Sequence, residues 1–310
     1  MTPQVTVVGS LNADVTLRVA RLPGPGETVL TEQPSLLSFG GKGGNQAAAA
    51  AAFGGRVAMV GRVGDDALGG AVRADLADRG VDVSQVLSCA GVRTGSASIA
   101  VDDGGENNII VDPGANACLR PQDVSPACFR DAAIALVQLE IPVETVAAAV
   151  AVATCPVILN PAPALPLPSA VLDGVSVLVL NVPELAALTE VPAVADPAAL
   201  EPLARKLQRD VVVTLGANGA LVVPAAARYA VHIAPPQAEI RDTTGAGDCF
   251  CGTLAVLLAE GADLAEASRV AVAAGTLSAT APGARGRLPT REMVSAIAPG
   301  LTARTLESSA

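Results

Sequence analysis

The sequence of 310 residues is short of the side chains that many catalytic sites and cores rely on. It has no tryptophan, one tyrosine and four phenylalanines, so aromatics are 2% of the chain against 51% hydrophobic residues. The core therefore has to be assembled from alanine, valine and leucine, which suits buried parallel strands covered by helices. The same shortage leaves little to build an aromatic platform beneath a nucleobase. The single histidine, His232, argues against a Ser-His-Asp triad, a histidine-rich metal site and imidazole acid–base chemistry. It lies in Arg228-Tyr-Ala-Val-His-Ile, which alternates as a strand does, and is expected to be a surface or hydrogen-bonded strand residue. No run of lysine and arginine exists to neutralise a nucleic-acid backbone, and the net charge is −10, so DNA or RNA is not expected as a partner. A small anionic ligand needs only local positive potential and is not argued against.

Long apolar runs are missing too. The longest uncharged stretch, Thr145 to Leu172, is broken by Asn160 and by Pro156, Pro161, Pro163, Pro166 and Pro168, and reads as helix, strand and loop rather than a membrane span. The opening Met-Thr-Pro-Gln carries no basic region before the first apolar strand, so no signal peptide is expected. Six scattered cysteines in a chain of this size are expected to be reduced thiols in the cytoplasm. Cys249 and Cys251 have no further Cys or His at zinc-site spacing and are expected to be packing residues. Repeats, heptads and linkers are lacking, so residues 1–310 are expected to form one domain.

What is present is an alternation of strand and helix. Strands are expected at Val5 to Gly9, Val57 to Gly61, Ala133 to Leu139, Val157 to Leu159, Val175 to Leu180 and Val211 to Leu215. Helices are expected at Asn45 to Phe53, Asp66 to Arg79, Val143 to Ala153, Pro197 to Gln208 and Cys249 to Glu260. Continuous apolar strands with intervening helices predict an α/β fold with a doubly wound, mainly parallel sheet. Val15 to Leu37 and Thr94 to Val111 break this rhythm, each reading as two strands and a turn. They predict a small β-sheet built from insertions at 13–38 and 93–114, able to act as a lid over the ligand edge. The tail from Ala303 is polar and expected to be frayed.

Several apolar strands lead into one polar residue: Glu140, Asn160 and Asn181, with Thr214 before Gly216. Ligands of an open parallel sheet bind outside the carboxyl ends of its strands, so these residues should converge on one crevice. Capping and turn roles compete with that reading at each position. Asn181 and Glu184 are spaced to hold waters of a magnesium ion, or to form a capping box. In Asp242-Thr-Thr-Gly-Ala-Gly-Asp248, the main-chain amides of Gly245, Ala246 and Gly247 stand at a helix start, where they favour a phosphate. Asp248 supplies a carboxylate in the same turn. A phosphate site beside a base is what phosphoryl transfer to a hydroxyl requires; the competing reading is a glycine-rich turn capped by aspartates. Phe39-Gly-Gly-Lys-Gly-Gly-Asn45 is a second glycine-rich loop. It is not a Walker A loop, because Gly43 follows Lys42, and the first strand lacks Gly-x-Gly-x-x-Gly. Its lack of side chains would let a polyhydroxylated ligand lie against the backbone, with Asn12, Asp14 and Asn45 meeting sugar hydroxyls.

Taken in order, Gly9-Ser-Leu-Asn-Ala-Asp14, Pro25-Gly-Glu-Thr28, Gly40-Gly-Lys-Gly-Gly-Asn-Gln46, Gly64-Asp-Asp66, Pro113-Gly-Ala-Asn116, Gln138-Leu-Glu140, Asn160-Pro-Ala-Pro-Ala164, Asn181-x-x-Glu184, Thr214-Leu-Gly216 and Thr244-Gly-Ala-Gly-Asp248 resemble the ribokinase-like (PfkB) family of sugar and nucleoside kinases, over roughly Val5 to Ile297. The resemblance implies an ATP-dependent kinase for the terminal hydroxyl of a pentose, ribose foremost. Alternatives are a relative acting on another sugar or a nucleoside, and a non-catalytic binding regulator on the same fold. It implies Asp248 as base and Gly245, Ala246 and Gly247 as anion hole. Asn12, Asp14, Gly41, Lys42, Asn45 and Glu140 would hold the sugar, and Asn181, Thr214, Gly216, Gly219 and Gly247 the ATP. Asn181 and Glu184 would organise Mg2+ through water. Asp242, Thr244, Ser278, Ala281 and Gly283 would bind a K+-type ion, which Arg287 could replace if it does not point to solvent. The two β insertions would be a lid that also makes a homodimer contact.

Overall fold

The computed structural model of the protein describes residues 4–104, 106–193 and 196–307. The strands are β1 (Gln4–Val8), β2 (Asn12–Arg18), β3 (Leu36–Gly40), β4 (Arg56–Gly64), β5 (Val81–Cys89), β6 (Ser96–Val101), β7 (Asn107–Asp112), β8 (Ala132–Gln138), β9 (Val157–Asn160), β10 (Val177–Asn181), β11 (Asp210–Thr214), β12 (Ala220–Val223), β13 (Tyr229–Ile233) and β14 (Ala303–Glu307). The helices are α1 (Lys42–Ala52), α2 (Ala67–Asp78), α3 (Val143–Val152), α4 (Ser169–Asp173), α5 (Val182–Thr189), α6 (Pro197–Arg205), α7 (Ala246–Ala259), α8 (Leu264–Ser278) and α9 (Arg291–Ser295).

Ten strands form one sheet in the order β14-β13-β12-β11-β10-β9-β8-β1-β4-β5. The pairs from β11 to β5 are parallel, and β11 to β14 pair antiparallel. The strands are apolar on both faces because both faces are covered. In β10 and β11, Val177, Val179 and Val212 enter one core with α1, α2, α7 and α8. Leu178, Leu180, Val211 and Val213 enter the other with α3, α5 and α6. This period-2 division of a continuous apolar run is what burial between two helix layers produces. Small residues set the spacing of one layer. Ala47, Ala48, Ala49 and Ala50 of α1 are buried, and at Gly252 of α7 a Cβ would stand 2.5 Å from the Gln46 carbonyl oxygen. The two helices are thus in backbone contact.

The second sheet runs β3-β2-β6-β7. Each insertion supplies an antiparallel pair, and a parallel β2–β6 pairing joins the two. Its strands reach further into the body than the expected segments, from Asn12 to Gly40. One part of its surface is apolar and open, with Ile110 73% and Leu36 63% exposed.

The tail differs from expectation. Instead of fraying from Ala303, residues Ala303–Glu307 pair antiparallel with β13, and Leu306 packs against the second core. The reason is the edge of β13, whose unpaired amides and carbonyls would otherwise face water. Residues 308–310 lie outside the described residues. The strand at 56–64 is also longer than the expected Val57 to Gly61. His232 lies in β13 as expected, with Nε2 2.8 Å from the Asn218 carbonyl oxygen. Among the described residues, no helix is long and apolar enough to cross a membrane, and all six cysteines are free.

A chain ending at Thr302 should therefore keep the fold but melt at least about 2 °C lower, a shift expected for a loss near 1 kcal/mol in a protein of this size. An unchanged melting temperature in calorimetry would show that β14 adds nothing.

Candidate active site

The carboxyl ends of the strands open onto two clefts. The larger, about 900 Å³, is lined by Thr214, Gly216, Gly219, Gly247, Phe250 and Thr276 among others. The smaller, about 460 Å³, is lined by Asn12, Lys42, Val111, Pro113, Asn116 and Glu140 among others. Asp248 lines neither directly. It stands in the first turn of α7, next to Gly247 of the larger cleft and within electrostatic reach of Lys42 and Glu140 of the smaller.

Asp248 is 8% exposed. Oδ2 accepts from Asn45 Nδ2 and Oδ1 from Gln46 Nε2, each at 3.0 Å. Burial pushes its pKa above the ordinary carboxylate value, while Lys42, Gln46 and Asn45 work against that rise. Burial pulls the Lys42 ammonium down, but Asp248, Glu140 and Glu184 outweigh it and hold the pKa above the usual lysine value. Two singly linked amides thus fix both oxygens of one acid. Gln46 is fixed in turn: its Oε1 accepts from Gln138 Nε2 at 2.6 Å, and its Nε2 also reaches Asn160 Oδ1 at 3.1 Å. Asn160 Nδ2 donates to the Val179 carbonyl at 2.9 Å. Gln46 and Gln138 were not singled out in the sequence as site residues. The available signal was a glutamine placed immediately before an alanine run expected to be buried, where an amide needs partners.

The α7 N-terminus has Gly245 at φ +74°, a left-handed cap that glycine accepts readily. A Cβ there would also stand 2.7 Å from Ala284 Cα. The Ala246 amide donates to the Thr243 carbonyl at 3.1 Å, so that amide is engaged within the turn.

The glycines of the 40–44 loop are explained by the protein's own packing and not by an open backbone surface. A Cβ at Gly40 would stand 1.9 Å from Asp14 Oδ2, at Gly43 2.7 Å from the Gly9 carbonyl carbon, and at Gly44 2.5 Å from Arg285 Nη2. Gly41 has φ +78° and precedes α1. This close packing lets Glu140 Oε2 accept from the Lys42 amide at 2.8 Å and from Ser10 Oγ at 2.5 Å. Asn116, unassigned from sequence, accepts from the Leu11 amide at 2.8 Å and donates to Asn12 Oδ1 at 2.8 Å. Asp14 Oδ1 accepts from the Ala97 amide at 2.9 Å. Burial raises the Asp14 pKa to about 6, with Glu140 adding to the rise.

At the end of β10, Asn181 and Glu184 form the capping box of α5. Asn181 Oδ1 accepts from the Glu184 amide and Glu184 Oε2 from the Asn181 amide, each at 2.8 Å. Burial raises the Glu184 pKa. Among the described residues, no group of three or more His, Cys, Asp or Glu side chains is placed to hold a metal ion directly. Asp242 accepts from Thr244 Oγ1 at 2.6 Å and from the Gly283 amide at 2.7 Å. Burial works to raise its pKa, but these donors keep it below the usual value. Arg287 is exposed and donates to Thr280 Oγ1 at 2.9 Å. Ser278 donates to the Gly275 carbonyl at 2.9 Å, and the Ser278 carbonyl is 3.4 Å from the Ala281 amide.

Residues 2–291 match the profile described as pfkB family carbohydrate kinase. The chain belongs to that family. It is 35% identical over 300 residues to a ribokinase of Haemophilus influenzae, covering 94% of this chain and 97% of the relative. It is 37% identical over 300 residues to a ribokinase of Bacillus subtilis, with the same two coverages. The solved structure of Arabidopsis thaliana ribokinase complexed with ribose and ATP superposes with a TM-score of 0.87 at 33% identity, covering 96% of this chain and 99% of that one. The chain is therefore an ATP-dependent carbohydrate kinase on the ribokinase fold.

The raised Asp14 pKa has a stability consequence. The folded state binds that proton more tightly than the unfolded state, so protonated Asp14 favours folding below the unfolded pKa and the benefit is lost as pH rises through about 6. Asp14→Asn should melt above the parent at pH 8, and the advantage should shrink as pH falls below about 6. A pH-independent difference in melting temperature would contradict the assignment.

Proposed function

We propose that the protein phosphorylates the terminal hydroxyl of a pentose, D-ribose to D-ribose 5-phosphate, with ATP as donor. The observation that carries the reading is Asp248, held by two amides between a sugar-sized cleft that includes Asn12, Lys42 and Glu140 and a larger cleft lined by Gly247 at the α7 N-terminus. In that arrangement, the terminal hydroxyl of a sugar in the smaller cleft meets the γ-phosphate of a nucleotide in the larger. The hydroxyl oxygen forms the new P–O bond, the bond to the departing ADP breaks, and the hydroxyl proton passes to Asp248. A carboxylate with a pKa raised by burial is better suited to accept that proton. Most of the acceleration comes from alignment and charge stabilisation. The amides of Gly245, Ala246 and Gly247 serve the transferring phosphoryl group, and the Ala246 amide must leave Thr243 to take part.

Asn12, Asp14, Gly41, Lys42, Asn45 and Glu140 form the sugar site, joined by Ser10 and Asn116 as the partners that orient Glu140 and Asn12. Thr214, Gly216, Gly219, Gly247 and Asn181 belong to the ATP site. Asn181 and Glu184 fit an ion held through its waters, since their capping bonds leave oxygen lone pairs for water. Magnesium there would neutralise phosphate charge. The small sheet is a lid, and its exposed Leu36 and Ile110 suit burial against a second copy of the chain. Six free thiols fit a cytoplasmic location.

Asp242, Thr244, Ser278, Ala281 and Gly283 lie in two segments joined by the bond from the Gly283 amide to Asp242, and their oxygens would be the ligands of a potassium-type ion. Arg287 is exposed and bonded to Thr280, which favours an ion over the guanidinium as the charge beside Asp242. Turnover is expected to rise across a potassium titration at fixed ionic strength; a flat response would return Arg287 to the role of built-in cation.

The decisive measurement is ADP release with ribose against a panel of other sugars and nucleosides, using the parent and Asp248→Asn. Ribose should give the highest kcat/KM. The variant should retain ribose binding and lose roughly 10²–10⁴-fold in turnover, the usual worth of general-base help. Near-parental turnover of Asp248→Asn would remove it as the base, and preference for a nucleoside would overturn the substrate.

A further inference from the structure

Arg285 lies in the segment between α8 and α9, 240 positions from Asn45, yet its Nε donates to Asn45 Oδ1 at 2.9 Å. Its Nη1 donates to Asp75 Oδ2 of α2 at 2.6 Å, and its Nη2 to the Gly40 carbonyl at 3.2 Å. The side chain is 6% exposed. A guanidinium can only donate and a carboxylate can only accept. Asn45 sits between the two, with its oxygen on Arg285 and its amide nitrogen on Asp248 Oδ2. Only one orientation of the amide satisfies both neighbours. Space for this arrangement exists because residue 44 is glycine.

We propose that Arg285 is a positioning residue for phosphoryl transfer, acting through Asn45 to set the place of Asp248. The inference rests on the reading of Asp248 as the base. Asp248 alone could attract the nitrogen end of the amide, but it cannot fix where the amide sits. Arg285 does so by spanning α2, the end of β3 and α1 with a rigid three-way fork. A lysine would retain the charge and lose the fork.

The competing explanation is that Arg285 only pins α2 to the body through Asp75. Steady-state kinetics and melting of Arg285→Met, Arg285→Lys, Asn45→Ala, the Arg285→Met/Asn45→Ala double variant, Asp75→Asn and Asp248→Asn separate the two. Arg285→Met should lower kcat by about 10²-fold, the scale of a misplacement near 1 Å, with KM for ATP within about twofold of the parent. Because the effect passes through Asn45, the double variant should be no slower than the slower single variant. Multiplying losses, or Arg285→Met kcat within about threefold of the parent, would overturn the proposal. Should Arg285→Met fail to fold, Arg285→Lys decides: kcat lost with the melting temperature kept supports positioning, and both restored together overturns it. Asp75→Asn should melt lower with kcat nearly kept; a kcat loss equal to that of Arg285→Lys would reduce Arg285 to a structural pin. An inactive Asp248→Asn beside a fully active Arg285→Met would overturn the positioning role alone. An active Asp248→Asn would instead remove the base reading on which it rests.

Discussion

Helix α7 meets helix α1 at Gly252, where any side chain would collide with the Gln46 carbonyl, and the chemistry of the site depends on that contact. It brings the first turns of two helices, some 200 residues apart in the chain, close enough for Asn45 and Gln46 to reach both oxygens of Asp248. An isolated carboxylate this deeply buried would be neutral or disordered. Here the desolvation is opposed by two amide donors and the Lys42 ammonium. The alanine run of α1 belongs to the same constraint, since larger side chains along that face would hold the helices apart.

The amides have their own support. Gln138 orients Gln46, Asn160 takes its second bond, and Asn160 leans on the β10 backbone through Val179. Strands β8 and β9 thus each place a polar side chain against α1 at the carboxyl edge, and β10 braces the second of them. The sheet supplies rigidity, and the helix starts supply Asn45, Gln46 and Asp248. This division of labour is how open α/β sheets build sites.

Much of this was legible in the chain. The strand and helix alternation, the small β element and the strand-end Glu140, Asn160 and Asn181 followed from periodicity and turn residues. Tertiary packing hid the rest. The glycines around Lys42 suggested a surface bared for ligand, whereas their hydrogens face Asp14, Gly9 and Arg285; sequence shows that a side chain is missing, not what fills the space. Arg285, Asn116 and Ser10 act across long separations that no local pattern encodes. The tail from Ala303 looked frayed because its polar residues carry no core signal, while its pairing is dictated by the free edge of β13.

The small sheet joins the body at, among other places, Asn12 at the start of β2, Gly40 at the end of β3, Gly95 bridged to Asn12, and the Pro113 to Asn116 turn after β7. Each point is, or adjoins, a wall of the smaller cleft. The sheet therefore cannot tilt as a separate body without moving that cleft. Whatever grips its outer surface and favours one tilt must change affinity inside, and an occupant of the cleft must change the grip by the same factor. Remote substitutions on the outer strands could then retune affinity while every side chain that touches the occupant stays the same.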